Sequence, residues 1–427
     1  MHSSLRNYQI TAQIFAFCEK KNQNKHGWLA EKDSKTDTIT MGYFWDPTKP
    51  DAGPPARISQ TRCLLIGVAI YAAATIWPPL LLIAAFFLAQ FLPYALRVND
   101  DPESRRRFYR EFQKRDDPKI PQDWRKTPDD IVLKERYFVN DRGMCLMTTT
   151  MEPADPKKIE AVACFVHGYG DNGFAYLKRV EFFRYIRAGI AVVNMEIEGH
   201  GRSDGMLGLV PCFDRVVDDL SSFFEEVMTK KFPGKKCFLV GESMGGAMSM
   251  KVYNRNPNFY AGVQFLAPMC KLSEKMLPPD WVVNLVQRLL GKSGNVNWLG
   301  ELPIAPAKGD TAFLSFLLPE KRRLYTMHPF IYGRKPRLDT ARECIELTSD
   351  ISKNLAKEFD APFFIQHGSN DMVTCPKLSQ LFFDESPSKD KQIKIYEGMW
   401  HNLLGGEPKE NTDQVFADGI KWILERA

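Results

Sequence analysis

Apolar and polar positions follow a regular pattern from about residue 131 to the end of the chain. The run Ala161–Val166 is continuously apolar, and Ile190–Met195 is apolar except for Asn194, which predicts strands that are buried on both faces. After the second of these runs and before Cys237–Val240, the segment Phe213–Lys230 carries apolar residues at the spacing of a helix with one buried side. The repetition of strand and helix predicts an α/β fold, with a mostly parallel sheet covered by helices on both faces.

The other predicted elements continue this alternation. They are a hairpin over Lys134–Asn140 and Met144–Met151, helices over Phe174–Ala188, Ser243–Asn254 and Thr412–Glu425, and strands over Cys237–Val240, Tyr260–Ala267, Pro362–Gln366 and Gln392–Tyr396. Ligands of such sheets bind at the carboxyl ends of the strands. The alternation stops between Met269 and Glu358, and an insertion of this size predicts a lid, which we place at about 270–345.

The first third of the chain has a different pattern. Residues 1–61 are polar and without a clear period, so we expect them to be disordered or only locally ordered. Residues 63–96 contain no Asp, Glu, Lys or Arg, and about 20 apolar residues suffice to cross a bilayer as a helix. A membrane anchor is therefore predicted at 62–98, followed by a charged linker at 99–130, part of which (105–114) could instead form a basic helix on the membrane surface.

Two prolines interrupt the apolar run near its middle, at Pro78 and Pro79. The run is then either a single kinked span or a hairpin with both ends on one side of the membrane. Lys and Arg flank both ends, which favours a hairpin with a cytosolic catalytic domain. We expect an endomembrane, such as the endoplasmic reticulum, or a lipid droplet as the location; a buried core helix is the weaker alternative.

Charge and cysteine content narrow the function classes. A net charge of +5 over 427 residues gives no case for nucleic-acid binding. The nine cysteines form no CxxC pair, and several fall in predicted strands, so we expect buried thiols in a reducing compartment.

The segment Gly241-Glu242-Ser243-Met244-Gly245 joins a predicted strand to a predicted helix. A serine in this context is typical of a nucleophile elbow, whereas an ordinary Gly-rich turn is the alternative. A side chain at 241 or 245 would collide with the neighbouring strand or helix. Ser243 is therefore the predicted nucleophile.

A serine nucleophile requires a histidine base and a carboxylate that orients it, and in this arrangement they follow the serine as acid, then histidine. His401 follows the last predicted strand and is the predicted base. Asp371 follows the preceding strand and is the predicted acid, although a turn aspartate that caps the next helix is the alternative. His328 lies in the insertion, and for His367 we expect a packing role.

An oxyanion formed at Ser243 needs two amide donors, which we assign to the backbone N–H groups of Met244 and Tyr169. The Tyr169 side chain is then free to line the pocket. His167, Gly168 and Glu242 flank these groups and are candidates for substrate binding. The sequence has no HExxH motif and no P-loop lysine, so neither a metal nor a nucleotide cofactor is expected.

Seven ordered motifs resemble the monoacylglycerol lipase and lysophospholipase group of α/β-hydrolases, within the serine aminopeptidase S33 (Hydrolase_4) class. They are HGYGDN (167–172), GHGRSDG (199–205), GESMGG (241–246), LAPMCK (266–271), GRKPRLDTA (333–341), HGSNDMVT (367–374) and MWHNLL (399–404). Plant-type members, which include caffeoylshikimate esterase, are the most similar. The resemblance covers about 160–425 and implies the α/β-hydrolase fold with an eight-stranded sheet and a helical cap. It also implies Ser243, Asp371 and His401 as the triad and the amides of Tyr169 and Met244 as the oxyanion hole.

The chain also departs from this group at several places. Glu196 and Glu198 replace residues of a segment that often reads Asp-x-x-Gly, a change that we expect to be harmless. His200 and Asp204 are one residue too close for the H-x4-D acyltransferase signature, which weakens a transacylase role. The 1–130 extension has no counterpart in the group.

The leading hypothesis is a membrane-associated serine hydrolase that cleaves monoacylglycerols or lysophospholipids through an acyl-enzyme. Its partners would be a lipid with one acyl chain and a membrane or lipid-droplet surface; the residues give no indication of the oligomeric state. Another carboxylesterase (including one for phenolic esters), a thioesterase, a lipid acyltransferase and a peptidase are alternatives on the same triad. A non-catalytic membrane scaffold is the alternative from a different class.

Overall fold

Two separate units make up the chain in the computed structural model, Met1–Phe108 and Tyr109–Ala427. The residues described are 28–32, 39–43, 102, 105–106, 126–174, 176–270, 279–291, 293–294, 299–303, 305, 311–326, 328 and 330–427. In the first unit, strands β1 (Trp28–Lys32) and β2 (Ile39–Tyr43) pair in antiparallel fashion within the segment expected to be disordered or only locally ordered. The predicted anchor at 62–98 lies outside these ranges, and within them no helix is long and apolar enough to cross a membrane.

The second unit is built around an eight-stranded sheet. Its strands are β3 (Ile131–Val139), β4 (Cys145–Pro153), β5 (Ala161–Val166), β6 (Ile190–Met195), β7 (Lys236–Glu242), β8 (Gly262–Leu266), β9 (Phe363–Gly368) and β10 (Lys391–Tyr396). They are arranged in the order β10-β9-β8-β7-β5-β6-β4-β3. β4 pairs antiparallel with β3 and with β6, and all other neighbours are parallel. The predicted mostly parallel sheet is therefore confirmed.

Helices cover both faces of this sheet. The α-helices in the described part of this unit are α1 (Tyr176–Glu181), α2 (Phe183–Arg187), α3 (Phe213–Lys231), α4 (Met244–Arg255), α5 (Asp280–Leu290), α6 (Thr311–Ser315), α7 (Pro319–Thr326), α8 (Leu338–Asp350), α9 (Ala356–Glu358), α10 (Pro376–Glu385) and α11 (Lys409–Leu424). One buried cluster includes residues of α3, α4 and α10, and the opposite one includes residues of α2 and α11. The central strands are thus buried on both faces, as their apolar runs predict.

One helix differs from the expected elements, and the cysteines can be compared with their expected state. The helix predicted over Phe174–Ala188 is interrupted at Phe182, whose ring packs edge-on against Phe165 with centroids 4.7 Å apart. The seven cysteines in the described part of the chain are free thiols, of which three are buried as expected (Cys164, Cys237 and Cys270) and four are only partly buried.

The insertion between β8 and β9 is helical and is attached to the rim of the sheet by its C-terminal half. The Tyr332 N–H donates to the carbonyl of Gly170 over 2.7 Å, and Nε of Arg337 donates to the carbonyl of Leu207 over 2.8 Å. Two further contacts are a hydrogen bond of 3.0 Å from Thr340 Oγ1 to the Gly208 carbonyl and one of 2.9 Å from the Phe213 N–H to Glu343 Oε2. This part of the insertion is therefore fixed to the loops that follow β5 and β6.

Candidate active site

Ser243 lies between β7 and α4 in a backbone conformation that non-glycine residues rarely adopt, with φ 56° and ψ −119°. Such strain costs about 1–3 kcal/mol and is typical of functional sites. The flanking glycines are required, because a Cβ at Gly245 would lie 2.0 Å from the Val166 carbonyl oxygen, and a Cβ at Gly241 would lie 2.6 Å from the Gly245 carbonyl oxygen. The predicted collisions are confirmed. The Ser243 N–H donates to the carbonyl of Leu266 over 2.9 Å, which fixes the turn against β8.

Asp371 and His401 contact each other although they follow different strands. Nδ1 of His401 lies 2.6 Å from Oδ2 of Asp371. The other carboxylate oxygen, Oδ1, accepts from the N–H groups of Val373 (2.7 Å) and Thr374 (2.9 Å). Asp371 is thus also a turn aspartate, but the residue that precedes α10 is Cys375, so Asp371 does not cap that helix. One oxygen of the carboxylate stabilises the turn and the other faces the imidazole.

In this pair, each group shifts the pKa of the other toward its charged form. Burial alone would lower the pKa of His401, but the charge and hydrogen bond of Asp371 outweigh it and hold the pKa of the imidazole above its ordinary value. Burial would raise the pKa of Asp371, but His401 and a second imidazole, His367, hold it well below its ordinary range. Among the described residues, Ser243 Oγ forms no hydrogen bond with His401; contacts of this kind often tighten only when substrate is bound.

The loop after β5 lies against the elbow. A Cβ at Gly168 would lie 3.3 Å from the Cβ of Ser243. Met244 is the first residue of α4, so its N–H has no acceptor within the helix. The Tyr169 side chain is fixed on the rim, because its hydroxyl donates to the Gly208 carbonyl over 2.9 Å and its ring packs against Tyr332. The backbone amides of residues 169 and 244 are thus on two segments that meet at Ser243.

The imidazole ring of His167 supports this loop by contacting backbone groups on both sides. Its Nε2 accepts from the N–H of Ile197 over 3.1 Å, so the ring proton is on Nδ1, which lies 2.8 Å from the carbonyl of Gly168. Burial lowers the pKa of His167 and keeps the ring neutral. Both ring nitrogens are therefore engaged with the backbone.

A buried ion cluster next to the elbow was not predicted from the sequence. The ammonium group of Lys178, from α1, pairs with the carboxylates of Asp171 and Glu242. Burial would lower the pKa of Lys178, but the two carboxylates raise it above its ordinary value, so the group stays charged. Glu242 directly precedes Ser243, and Asp171 belongs to the loop of Tyr169. Lys178 thus connects the two segments that carry the candidate oxyanion donors.

The two remaining candidate histidines have different surroundings. His367, for which a packing role was expected, is fully buried and lies with its Nε2 3.0 Å from Oδ2 of Asp371. His328 is buried in the insertion, and burial lowers its pKa to about 3. His328 is therefore neutral at physiological pH, whereas His367 is part of the polar site.

Comparisons with known proteins identify the family of this chain. A family model described as serine aminopeptidase, S33 (Hydrolase_4) matches residues 157–409. Caffeoylshikimate esterase of Arabidopsis thaliana is 31% identical over 72% of this chain and 90% of the relative. Human monoglyceride lipase is 27% identical over 71% of this chain and 94% of the relative.

Solved structures show the same fold. A soluble variant of the Saccharomyces cerevisiae monoglyceride lipase, in complex with a substrate analogue, superposes with a TM-score of 0.59 at 19% identity, over 72% of this chain and 99% of that one. A monoacylglycerol lipase from Paleococcus ferrophilus gives a TM-score of 0.53 at 23% identity, over 69% of this chain and all of the other. The chain therefore belongs to the Hydrolase_4 (serine aminopeptidase, S33) family of α/β-hydrolases, and it is a carboxylic ester hydrolase of the monoglyceride lipase and esterase type.

Proposed function

We propose that the chain hydrolyses the ester bond of lipids that carry one acyl chain, monoacylglycerols or lysophospholipids, with Ser243, Asp371 and His401 as its triad. The observation that carries this proposal is the 2.6 Å contact of His401 with Asp371, on loops at the same sheet edge as the strained Ser243. The similarity to the human monoglyceride lipase over 94% of that relative supports the substrate class.

The reaction proceeds in two steps. Nε2 of His401 is the ring nitrogen that does not face Asp371, and it takes the proton of Ser243 as Oγ attacks the ester carbonyl carbon. The oxyanion accepts hydrogen bonds from the amides of Tyr169 and Met244. Its collapse releases the glycerol-containing alcohol, protonated by His401. Water, deprotonated by the same imidazole, then attacks the acyl-enzyme. The second oxyanion collapses to release the fatty acid, and His401 returns the proton to Oγ of Ser243.

Hydrolysis of a small substrate panel tests this proposal. The panel contains a monoacylglycerol, lysophosphatidylcholine, a short p-nitrophenyl ester and a phenolic ester, each in detergent. We expect the fastest turnover with one of the two lipids. Turnover of the short ester without either lipid would leave the triad in place and reject the lipid assignment.

A phenolic ester is the second candidate substrate. The relative with 31% identity is a caffeoylshikimate esterase, which supports an aromatic acyl group. The same panel separates the two candidates, because a chain that prefers the phenolic ester over monoacylglycerol by its kcat/KM would belong to the second class.

We also propose that the catalytic domain works at a membrane or lipid-droplet surface. The uncharged run at 63–96 supports attachment. A second support is an apolar ridge on α5, formed by Trp281, Leu285 and Leu289, whose side chains are 69%, 49% and 57% exposed. Residues four positions apart lie on one face of a helix, and a large exposed apolar patch is typical of a lipid or protein contact. We propose a lipid surface as the partner of this ridge, because the proposed substrate carries an acyl chain.

Replacing the three ridge residues together by serine should slow hydrolysis of a substrate in a lipid surface and leave hydrolysis of a soluble ester unchanged. We expect the triple variant to hydrolyse monoacylglycerol in vesicles at least about fivefold more slowly, because less apolar area can enter the interface. Turnover of the soluble p-nitrophenyl ester should stay within about twofold of wild type. If wild type and the triple variant hydrolysed monoacylglycerol in vesicles at equal rates, a lipid-facing role of the ridge would be rejected.

A further inference from the structure

His367 is a buried group that the proposed mechanism leaves unused. It lies in β9, and its Nε2 contacts the same carboxylate oxygen of Asp371, over 3.0 Å, that His401 contacts over 2.6 Å. The acid of the proposed triad thus faces two imidazoles, only one of which is a base. We propose that His367 is a positioning residue that fixes the Asp371 carboxylate and moderates its pull on the proton of His401. This inference rests on the proposed function.

The hydrogen-bond pattern determines where the proton of His367 lies. An ionised carboxylate only accepts hydrogen bonds, so Nε2 of His367 carries a proton and donates to Asp371. Its Nδ1 lies 2.9 Å from the hydroxyl of Ser379. Cys270 Sγ lies 3.9 Å from that hydroxyl, and burial raises the pKa of the thiol to about 12, so the thiol keeps its proton. A chain of polar contacts therefore runs from Cys270 through Ser379 and His367 to Asp371.

The carboxylate is held by its own segment, independently of His401. Oδ1 accepts from two backbone amides, as described above, and Oδ2 accepts from the hydroxyl of Thr374 over 2.8 Å as well as from His367. These donors lie in β9 or between β9 and α10, whereas His401 is on the loop after β10. The Asp371 carboxylate therefore faces His401 in one fixed orientation. Such preorganisation is what catalysis requires.

His367 also affects the charge that His401 experiences. Each donor to Asp371 stabilises the carboxylate anion and weakens its hold on a protonated His401. The other charged groups that act on His401 are Glu242, which favours the protonated ring, and Lys178, which disfavours it. Both remain in place when His367 is replaced, so a change in the pH profile would report the loss of the His367 donor.

The test compares full-chain wild type with His367→Leu and His367→Gln, using kcat/KM for the substrate that wild type turns over. Gln keeps an amide N–H in place of Nε2, whereas Leu removes the donor at a similar volume. In wild type, kcat/KM should fall with decreasing pH as His401 is protonated, with an apparent pKa above the ordinary value of about 6.5.

For His367→Leu, we expect the plateau of kcat/KM to fall about tenfold, because the carboxylate loses its fixed direction. The acid limb should move up by about half a pH unit, because a less stabilised Asp371 favours protonated His401. His367→Gln should stay within about twofold of wild type with an unchanged acid limb. Equal losses in both variants with an unmoved limb would mean that His367 only fills space, and the inference would be overturned.

Ser379→Ala provides a second measurement in case the leucine variant does not fold. It leaves His367 in place but removes the hydroxyl at its Nδ1, so the ring loses its fixed orientation toward Asp371. We expect a smaller shift of the acid limb in the same direction, and an unmoved limb in this variant would also contradict the inference. A wild type that hydrolyses nothing in the panel would reject the proposed function itself, a result distinct from an active wild type with insensitive variants.

Discussion

Ser243→Ala should abolish turnover, with a loss of kcat of about 10⁶-fold, the size expected when the nucleophile of a triad is removed. The physical reason is that no other hydroxyl can form the acyl-enzyme at the strained turn. The measurement is hydrolysis of the best panel substrate, together with covalent labelling by a fluorophosphonate, which should disappear. A biological role that survived the substitution would instead favour a non-catalytic scaffold.

Two further serine variants make this result specific. Ser221→Ala removes a buried hydroxyl that donates to a helix carbonyl in α3, and it should leave turnover unchanged. Ser243→Gly should be as inactive as Ser243→Ala but about 1 kcal/mol more stable than it, because glycine adopts a positive φ without strain. If Ser243→Ala kept more than about a hundredth of the activity, a nucleophilic role of Ser243 would be excluded.

Lys178→Met should lower the free energy of unfolding by about 3–5 kcal/mol, the usual cost of leaving buried charges without a partner. Lys178 is 2% exposed, and its ammonium group is the cation between Asp171 and Glu242. Methionine fills a similar volume, so the loss reports charge more than packing. Denaturant unfolding of the full chain, followed by tryptophan fluorescence, provides the measurement.

Two controls separate charge from size in this experiment. Lys230→Met removes a lysine whose side chain is 71% exposed and pairs with Glu226 over 3.2 Å, so the expected change is within about 0.5 kcal/mol. Adding Asp171→Asn and Glu242→Gln to Lys178→Met should recover most of the lost stability, because no uncompensated charge remains. A single Lys178→Met variant as stable as wild type would show that the three groups are not all ionised in the folded protein.

The sheet could be predicted closely because its central strands are buried on both faces. β5 and β6 begin and end where their apolar runs do. β7 is longer than the predicted Cys237–Val240, since Lys236 pairs with Ala161 and Glu242 with Leu266. Whether a polar residue continues a strand depends on the neighbouring strand, which the local pattern does not contain.

Site residues that directly follow predicted strands could be identified from the sequence. Those that depend on contacts between distant segments could not. The spacing of motifs led to Asp371 and His401, which the structure brings together. Lys178 gave no signal, because a lone lysine in a helix is normally solvated and its two partners lie 7 and 64 residues away. For His367 the sequence predicts only packing for the same reason, because its contact with Asp371 depends on the side of β9 to which the Asp371 turn folds back.

The attachment of the insertion to the rim has a consequence for exchanging caps between relatives. The segment from Tyr332 onward donates directly to the Gly170 carbonyl, one residue after a candidate oxyanion donor. A chimera joined after residue 345 would replace this contact together with the cap and would disturb the loop after β5. A junction before Phe330 would leave the loop with its native support, so the transferable module of this enzyme is shorter than its insertion.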